Sequence, residues 1–360
     1  MSRASSARAP AAGQPAGIVA QCLRDFAALE ALAPEWSALW ERSPAATPVQ
    51  SPLWLLPWWR HLGGGALIAL ALRQGGRLVA LAPLFRPSGG TPLLPLGIGI
   101  SDYLDVLLDP DAVSASALLD HLVALARAGE AIELHELPPS SPLVGAPPPR
   151  GWRSEMSQQS ACPGLSLPRG GDLRHCLPRK AFRDWRQAQR RCAAAGEVAI
   201  ETADAQTCET LFTALTRLHA RRWCERGEAG VLADPAVQRF HRAALPGFAA
   251  AGLLRLYALR IAGRIVAVYY GMAAKGRHYA YLSGFDPDFE RHSVGCCVTV
   301  STTTRLRIRE PSGSLPAVRS STASRGSSRK PASLSIRWAP PSCSPPSPTR
   351  PSRGAIASAK

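Results

Sequence analysis

The chain has 360 residues, of which 46% are hydrophobic, and it carries a formal net charge of +16. This length allows two ordinary domains, and this apolar content is that of a globular protein with a buried core. The charge is uneven, because residues 301–360 hold 11 Lys and Arg and one acidic residue, Glu310. The remaining residues are only mildly basic, so their charge does not predict a specific nucleic-acid partner.

Nine cysteines are scattered without a C-x-x-C pair or a His/Cys ligand spacing. This pattern predicts a reducing, cytoplasmic location and no metal site. Residues 1–16 are small and polar, which predicts a disordered lead rather than a secretory signal. The apolar runs are far shorter than the roughly 20 residues that span a bilayer, so no transmembrane segment is expected.

Residues 17–150 are predicted to form an N-terminal domain. The segment SPLWLLPWWRHLGGG predicts a helix that begins after Ser51 and that Pro57 should kink or split. Its Trp54 and Trp58 lie one turn apart and should pack in the core. A hairpin, a short strand, a helix and a further strand are predicted next, in ALIALALRQGGRLVALAPLF, YLDVLLDP, DAVSASALLDHLVALARAG and AIELHEL.

Residues 151–300 repeat this order and are predicted to form a C-terminal domain. The run AGLLRLYALRIAGRIVAVYYGMAAKGRHYAYLSGF predicts three strands joined by two tight turns. The pattern ALRxxGRxVA occurs at Ala71 and again at Ala258. Because strand, Asp-Pro and helix follow it both times, the sequence predicts two copies of one α/β unit, with mixed, largely antiparallel sheets flanked by helices.

A basic helix, LPRKAFRDWRQAQRRCAAAG, is predicted between the two halves. Four of its arginines fall on one face: Arg179, Arg183, Arg186 and Arg190. A solvated basic face is the usual meaning of such a stripe. The alternative is a surface that faces a phosphate or an acidic substrate, with Arg183 and Arg186 as the candidate substrate contacts.

The tail from residue 301 onward has 15 Ser and 9 Pro, and Trp338 is its only aromatic residue. This composition predicts disorder from about Glu310 onward. The tail is either a genuine basic segment that binds nucleic acid or anionic lipid weakly, or the product of a reading-frame slip near Cys296 to Val300. The slip is favoured, because a GC-rich gene read out of frame yields this mixture. Translating the other frames of the gene tests it.

Six segments resemble, in order, successive blocks of one family. They are SPLWLLPWWRHLGGG, GRLVALAPLF, SDYLDVLLDP, RKAFRDWRQAQRRCAAAG, LHARRWCERGEAGVLADPAVQRFHR and GRIVAVYYGMAAKGRHYAYLSGFDPDFERHSVG. The family is the CelD/BcsL-type acetyltransferases, associated with cellulose biosynthesis, within the GNAT acyltransferase superfamily. The resemblance implies two tandem GNAT-like halves, with acyl-coenzyme A bound by the C-terminal one. It also implies direct transfer of acetyl from acetyl-CoA to an amine on a small molecule, polysaccharide or peptide.

The resemblance ends after Gly295. Family members continue with a long helix, a strand that ends in an Asp-Phe-like block, and a Tyr-Lys-rich C-terminus. In a GNAT fold the last strands splay apart to admit the pantetheine arm of the coenzyme. A chain without that strand would lack one wall of the groove, which puts its activity in question.

Acetyl transfer needs a polarised thioester carbonyl, a deprotonated amine and a protonated thiolate leaving group. The strand RHYAYLSGF should offer backbone amides to the carbonyl and the pantetheine arm. By alternation Tyr279, Tyr281 and Ser283 share one face, with Tyr281 as the candidate proton donor and Ser283 as a coenzyme contact. The alternative is that the tyrosines only pack a half-buried sheet.

A helix is predicted to begin within YLSGFDPDFERHSVG. The amides at a helix start carry about half a positive charge together. Arg291, His292, Ser293, Val294 and Gly295 are therefore predicted to receive the pyrophosphate of the coenzyme. The segment departs from the usual GNAT Arg/Gln-x-x-Gly-x-Gly/Ala loop, and a plain turn is the alternative.

No general base is evident. Asp102, Glu201 and Asp286 are candidates by charge alone. Asp102 and Tyr103 should lie at a strand entrance that faces the cleft between the halves. There Asp102 would act as the base and Tyr103 as a substrate contact. The alternative is an Asp that caps a turn, which is the commoner case.

Two other functions remain open. The FemAB-type aminoacyl or peptidyl transferases are similar in having paired GNAT-like halves, and a member of that class would use the basic stripe to meet an RNA or nucleotide-linked donor. The third reading is a non-catalytic binding protein whose basic tail engages nucleic acid or membrane.

Overall fold

The computed structural model describes residues 17–161, 177–295, 297–298 and 332–340. The predicted disordered lead and most of the predicted tail lie outside these residues. The described helices are α1 (Phe26–Ala31), α2 (Ala33–Arg42), α3 (Pro52–Leu62), α4 (Ala115–Val123), α5 (Arg179–Ala194), α6 (Cys208–Cys224) and α7 (Pro235–Ala250). Within the described part of the chain, no helix is both long and apolar enough to cross a membrane.

The strands form three sheets. They are β1 (Ile18–Leu23), β2 (Ala66–Gln74), β3 (Arg77–Arg86), β4 (Leu94–Pro95), β5 (Leu107–Leu108), β6 (Ile132–Leu137), β7 (Arg153–Ala161), β8 (Val198–Thr202), β9 (Leu254–Ile261), β10 (Arg264–Ala274), β11 (Arg277–Phe285) and β12 (Ala332–Ala339). The first sheet has the order β1-β2-β3-β4, with β5 also on β3, and the second has the order β8-β9-β10-β11. All pairings within these two sheets are antiparallel.

The two halves repeat one unit, which confirms the predicted mixed α/β fold with largely antiparallel sheets. In each half a first strand is followed by helices, then by a hairpin whose turn ends in glycine, and later by a buried aspartate that precedes a proline. Each of these aspartates pairs with two arginines, one in the last turn of α2 or α6 and one at the start of the second hairpin strand. We call these groups the N-half ion cluster (Arg42, Asp109, Arg77) and the C-half ion cluster (Arg221, Asp286, Arg264).

The halves share one hydrophobic core. Trp54 on α3 is fully buried, and its ring contacts Phe240 and Phe248 of α7 at centroid distances of 4.8 and 5.7 Å. Trp58 is buried as well, so the core prediction for this pair is confirmed. Pro57 lies inside a continuous helix and does not split it. This shared core fixes the cleft between the halves.

The tail prediction is wrong for residues 332–340. Strand β12 lies between β6 and β7 and is antiparallel to both. Ile336 and Trp338 are buried in the core of the first half, with 4% and 1% exposure. The overall Ser and Pro content hid a short alternation of Leu334, Ile336 and Trp338 with polar residues, which is the pattern of a half-buried strand. The interpretation of the tail as frame-shifted stays a prediction.

Candidate functional site

A cleft lies between the halves, with an empty volume of about 430 Å³ that includes open solvent. Its lining residues come from both sides: Thr47, Pro48, Val49, Asp102 and Tyr103 from the first half, and Met272, Tyr279, Ala280 and Tyr281 from the second. The structure therefore brings together three of the residues that the sequence singled out for the reaction: Asp102, Tyr103 and Tyr281.

The first-half wall of the cleft is held by a short 3₁₀ helix, Pro48–Gln50. The Gln50 side chain accepts a hydrogen bond from the Thr47 amide at 2.6 Å, and the Trp40 indole donates to the Thr47 carbonyl at 2.7 Å. From the other half, the Lys275 ammonium donates to carbonyls at the end of α2 and lies 4.7 Å from the centre of the Trp40 ring. The cleft wall is thus fixed from both halves.

The Tyr281 side chain also joins the halves. Its hydroxyl donates to the Ile100 carbonyl at 2.9 Å, and its ring meets Trp54 edge to face. Burial, with smaller contributions from Tyr270 and the negative charge of Asp102, raises the pKa of this phenol well above its ordinary value. Tyr281 is therefore protonated at neutral pH, and proton donation to a thiolate would require its bond to Ile100 to open. Its catalytic role stays a prediction.

The predicted face shared by Tyr279, Tyr281 and Ser283 is wrong in part. The register between β10 and β11 shifts at Tyr281, which has no partner residue. Such a bulge reverses the alternation beyond it. Tyr279 and Tyr281 pack against the shared core, whereas Ser283 pairs with Tyr269, which belongs to a separate cluster on the opposite face of the sheet.

Arg183 and Arg186 are not brought to the cleft. Helix α5 packs through Ala188 and Cys192 on the cluster that contains Tyr269, on the sheet face opposite Tyr281. Both arginines are exposed, and the Arg183 side chain is 74% exposed. This is the arrangement of a solvated basic face.

The predicted coenzyme segment follows β11. A 3₁₀ helix, Pro287–His292, leads into Ser293, and a helix begins at Val294. Ser293 has a left-handed backbone (φ 55°, ψ 42°), and its amide already donates to the Glu290 carbonyl at 2.9 Å. The Val294 side chain is buried and cannot contact a ligand. The groups that Val294 and Gly295 could offer to a pyrophosphate are their backbone amides, because first-turn amides have no partner inside their own helix.

The residues just before this helix are tied to α5. The Arg291 carbonyl accepts from the Arg191 guanidinium at 3.0 Å, and the His292 carbonyl lies 3.8 Å from the Cys192 sulfur. The Arg291 side chain remains exposed, so cationic groups do border this segment.

The corresponding helix start in the first half is different. Helix α4 begins after Ser114, which has an extended backbone and whose hydroxyl accepts from the Ala117 amide at 3.2 Å. Ser293 cannot cap in this way, because an N-cap residue needs an extended backbone and Ser293 is left-handed. Ser114 therefore satisfies one of the first-turn amides of its helix, whereas Ser293 does not do so in the second half.

The three candidate bases differ in their partners and in their distance from the cleft. Glu201 pairs with the Arg260 guanidinium at 2.8 Å, and Asp286 is the centre of the C-half ion cluster. Of these three, only Asp102 lines the cleft. No group of three or more His, Cys, Asp and Glu side chains placed to hold a metal ion occurs among the described residues.

Sequence reasoning missed several residues of the cleft. Thr47, Pro48 and Val49 carry no motif, and from the sequence Lys275 belongs only to the tight turn Lys275-Gly276 between the second and third predicted strands. Its left-handed backbone, φ 51°, explains the turn but does not indicate that the ammonium reaches the other half. No local signal could have found this contact.

Comparison with known proteins agrees with this architecture. Residues 179–310 match the family model described as an acetyltransferase (GNAT) domain. FemX has a similar fold, with a TM-score of 0.55 and 12% identity, covering 85% of this chain and 95% of that chain. A conserved protein of unknown function from Bacteroides thetaiotaomicron has a TM-score of 0.51 and 13% identity, covering 88% of this chain and 97% of that chain.

No curated protein sequence is detectably similar to the chain. The family match supports a GNAT-type acyltransferase domain in the second half, and the similarity to the two structures shows the fold of both halves together. Membership of the CelD/BcsL family stays a prediction.

Proposed function

We propose that this chain is an acyl-coenzyme A-dependent N-acyltransferase that moves an acetyl group from acetyl-CoA to an amine. The observation that carries this proposal is that the helix start after Ser293 lies within residues 179–310, which match the GNAT domain, and differs from the corresponding helix start after Ser114 in the first half. The Ser114 hydroxyl caps its own helix, whereas Ser293 has a left-handed backbone and does not cap the helix that begins at Val294 in this way, and the exposed Arg291 side chain borders that segment. That segment is suited to a pyrophosphate.

The pantetheine arm would then run along β11. This strand lies at one edge of its sheet among the described residues, so its outer amides and carbonyls face away from β10. An extended amide-bearing chain can hydrogen-bond to such an edge as a further strand would. The far end of β11 carries Tyr279 and Tyr281 into the cleft, which is where the thioester would lie.

The chemistry in the cleft would proceed by direct transfer. Asp102 takes one proton from the acceptor ammonium, and the free amine attacks the thioester carbon. The carbon–sulfur bond then breaks, and the nitrogen loses its second proton to solvent, which leaves a neutral amide. Tyr281 gives a proton to the departing thiolate, so that coenzyme A leaves with its thiol, and Tyr281 regains a proton from solvent while Asp102 releases its own. Burial raises the pKa of this phenol, which keeps Tyr281 protonated but opposes transfer to a thiolate, so donation requires the hydrogen bond to Ile100 to open.

Acetyl-CoA binding to the purified full chain tests this function. We expect acetyl-CoA to raise the melting temperature and to give a measurable Kd by calorimetry, because a ligand that binds only the folded state stabilises it. Coenzyme A without the acetyl group should bind as well, since the proposed contacts are to the pyrophosphate and pantetheine. Absence of binding by both would refute the proposal.

Tyr281→Phe separates chemistry from binding. The variant should keep the Kd for acetyl-CoA and lower kcat by about tenfold or more. A proton donor contributes at least about a hundredfold to the rate, and a water molecule that replaces the phenol would recover part of this loss. An unchanged kcat at saturating acetyl-CoA would reduce Tyr281 to a bridge between the halves.

The FemAB-type aminoacyl transferase is the second candidate, because the fold similarity to FemX extends over both halves. Binding of aminoacylated tRNA with a steep salt dependence would favour it, since contacts to phosphates release counterions. If tRNA binds and acetyl-CoA does not, this candidate replaces the first.

A further inference from the structure

We infer that helix α5 is a docking surface for an anionic lipid bilayer. The inference goes beyond the proposed function and does not depend on it, because α5 covers the sheet face opposite Tyr281 and takes no part in the proposed chemistry. The partner is identified by its chemistry, which is a flat surface of headgroup phosphates with a net negative charge.

The charge of α5 is the first observation. Its 16 residues include six Lys and Arg and one carboxylate, Asp184. A helix whose polar face is basic suits the surface of an anionic membrane. Four of the cations form the row that the sequence predicted, and all four are exposed: Arg179, Arg183, Arg186 and Arg190.

Protein carboxylates neutralise little of this charge. Asp184 pairs with Lys180 at 2.6 Å and lies 4.0 Å from the Arg183 guanidinium. Among the residues that the structure describes, no carboxylate forms an ion pair with Arg186 or Arg190. These guanidinium groups are therefore open to an external anion.

The basic surface continues past the C-terminal end of α5. Arg191 donates to the Arg291 carbonyl at 3.0 Å, and the Arg291 side chain is exposed. The exposed carboxylates of Glu197 and Glu290 flank this end in the chain and offset part of its charge. The excess of positive charge is therefore largest over the helix itself.

The shape of the surface favours a bilayer over a nucleic acid. Helix α5 packs on the second sheet through Ala188 and Cys192, so the arginine row lies on the convex, outward side of the helix. The row spans 11 residue steps, or about 16 Å. Proteins that track a nucleic-acid strand without reading its sequence use a basic groove with aromatic rings on which the bases stack. A convex row has no such groove.

The two aromatic residues of α5 agree with this choice. Phe182 and Trp185 meet edge to face, with ring centroids 5.5 Å apart, so they pack on each other rather than form a platform for bases. Both are partly exposed near the N-terminal end of the helix. Tryptophan is enriched at the headgroup level of membranes.

The docking is electrostatic and reversible. The apolar residues Ala188 and Cys192 pack on protein, so they do not insert between acyl chains. Each Lys or Arg held close to an anionic bilayer strengthens binding about fivefold, and the attraction falls off within a Debye length of about 8 Å at physiological salt. A bilayer against α5 would leave the Tyr281 face of the sheet uncovered.

Co-sedimentation of the full chain with vesicles tests the inference. We expect binding to vesicles of phosphatidylcholine mixed with phosphatidylglycerol, little binding to pure phosphatidylcholine, and release as the salt concentration is raised. The double variant Arg186→Gln/Arg190→Gln should weaken binding to the mixed vesicles about 25-fold, at about fivefold for each arginine. The control, Arg217→Gln/Arg239→Gln, removes the same charge from exposed positions on α6 and α7 and should change binding little.

The remaining outcomes overturn the inference. If the mixed vesicles do not bind, or if both double variants weaken binding equally, α5 is not a docking surface. Unchanged binding by Arg186→Gln/Arg190→Gln would place the attachment elsewhere in the chain. If an oligonucleotide binds through the same two arginines and displaces the vesicles at equal phosphate concentration, the partner is a nucleic acid. None of these results depends on acetyl-CoA, so the acyltransferase proposal stands or fails separately.

Discussion

The repeated ion clusters offer a prediction with an internal control. Asp286 and Asp109 occupy the same place in the two halves, and their side chains are 2% and 6% exposed. Asp286 accepts from Arg221 at 2.7 Å, from Arg264, and from the Asp288 amide at 3.2 Å. It therefore sets the turn that leads from β11 to the proposed coenzyme segment.

Replacing either aspartate by asparagine removes the charge and turns one acceptor into a donor. A hydrogen bond to a charged group contributes about 1.5–3 kcal/mol. The arginine partners are 42% and 53% exposed in the second half and 31% and 54% exposed in the first, so water can replace part of what is lost. We expect both variants to lose about 1.5 kcal/mol in the free energy of unfolding, measured by urea denaturation.

Only one variant should affect the coenzyme. Asp286→Asn should weaken acetyl-CoA binding at least tenfold, which corresponds to about 1.4 kcal/mol, because the turn before Arg291 is loosened. Asp109→Asn should leave the Kd unchanged. Calorimetry on the two proteins measures the difference. If both variants bind acetyl-CoA equally well at a temperature where both are folded, the C-half ion cluster serves stability alone.

Two further predictions concern the coenzyme segment and pH. Gly295→Glu should abolish acetyl-CoA binding, measured by calorimetry, because it adds a negative charge where the pyrophosphate would lie. Gly295→Ala should be tolerated, because its Cβ would meet the Phe285 ring at an ordinary 3.5 Å. Equal binding by both variants would contradict the assignment. Burial lowers the pKa of His219 to about 4 and of His241 and His278 to about 3. The unfolded chain, with histidine pKa values near 6.5, binds more protons below that pH, so the free energy of unfolding should fall as pH drops from 6.5, by up to about 1.4 kcal/mol per pH unit for each histidine. Asp105 acts in the opposite sense, because burial raises its pKa to about 7 and its contribution to stability is lost as pH rises through that value. Urea unfolding between pH 5 and 8 should therefore give the largest free energy of unfolding at or above pH 6.5. A free energy of unfolding that stays flat or rises on acidification would refute the assignment of neutral buried histidines.

The sequence predicted best what is decided locally. The turns of the two hairpins, at Gly75-Gly76 and Ala262-Gly263, have positive φ angles. Glycine adopts such angles without strain at three of these four positions, and Ala262 adopts one at φ 47°. The same local reasoning placed α3 and the buried Trp54. These features depend on a few neighbouring residues, so a single chain displays them.

What the sequence could not show depends on distant contacts. The bulge at Tyr281 turns Ser283 to the other face, and nothing in the alternation of residues signals it. The exposure of Arg183 follows from which sheet face α5 covers, a matter of packing between elements far apart in the chain. Strand β12 was missed because composition was averaged over a long tail in which only a short stretch alternates.

The position of β12 has a consequence for how the molecule is made. Strands β6 and β7 leave the ribosome long before residues 332–339 exist, yet in the folded protein those residues lie between them. The interval during translation would leave two unpaired strand edges open to wrong partners, a recognised hazard for nascent chains. Early release of the chain, or a gene truncated before Trp338, would remove β12, the central strand of the β6-β12-β7 sheet. The first half would then be incomplete even though the codons for β6 and β7 are intact.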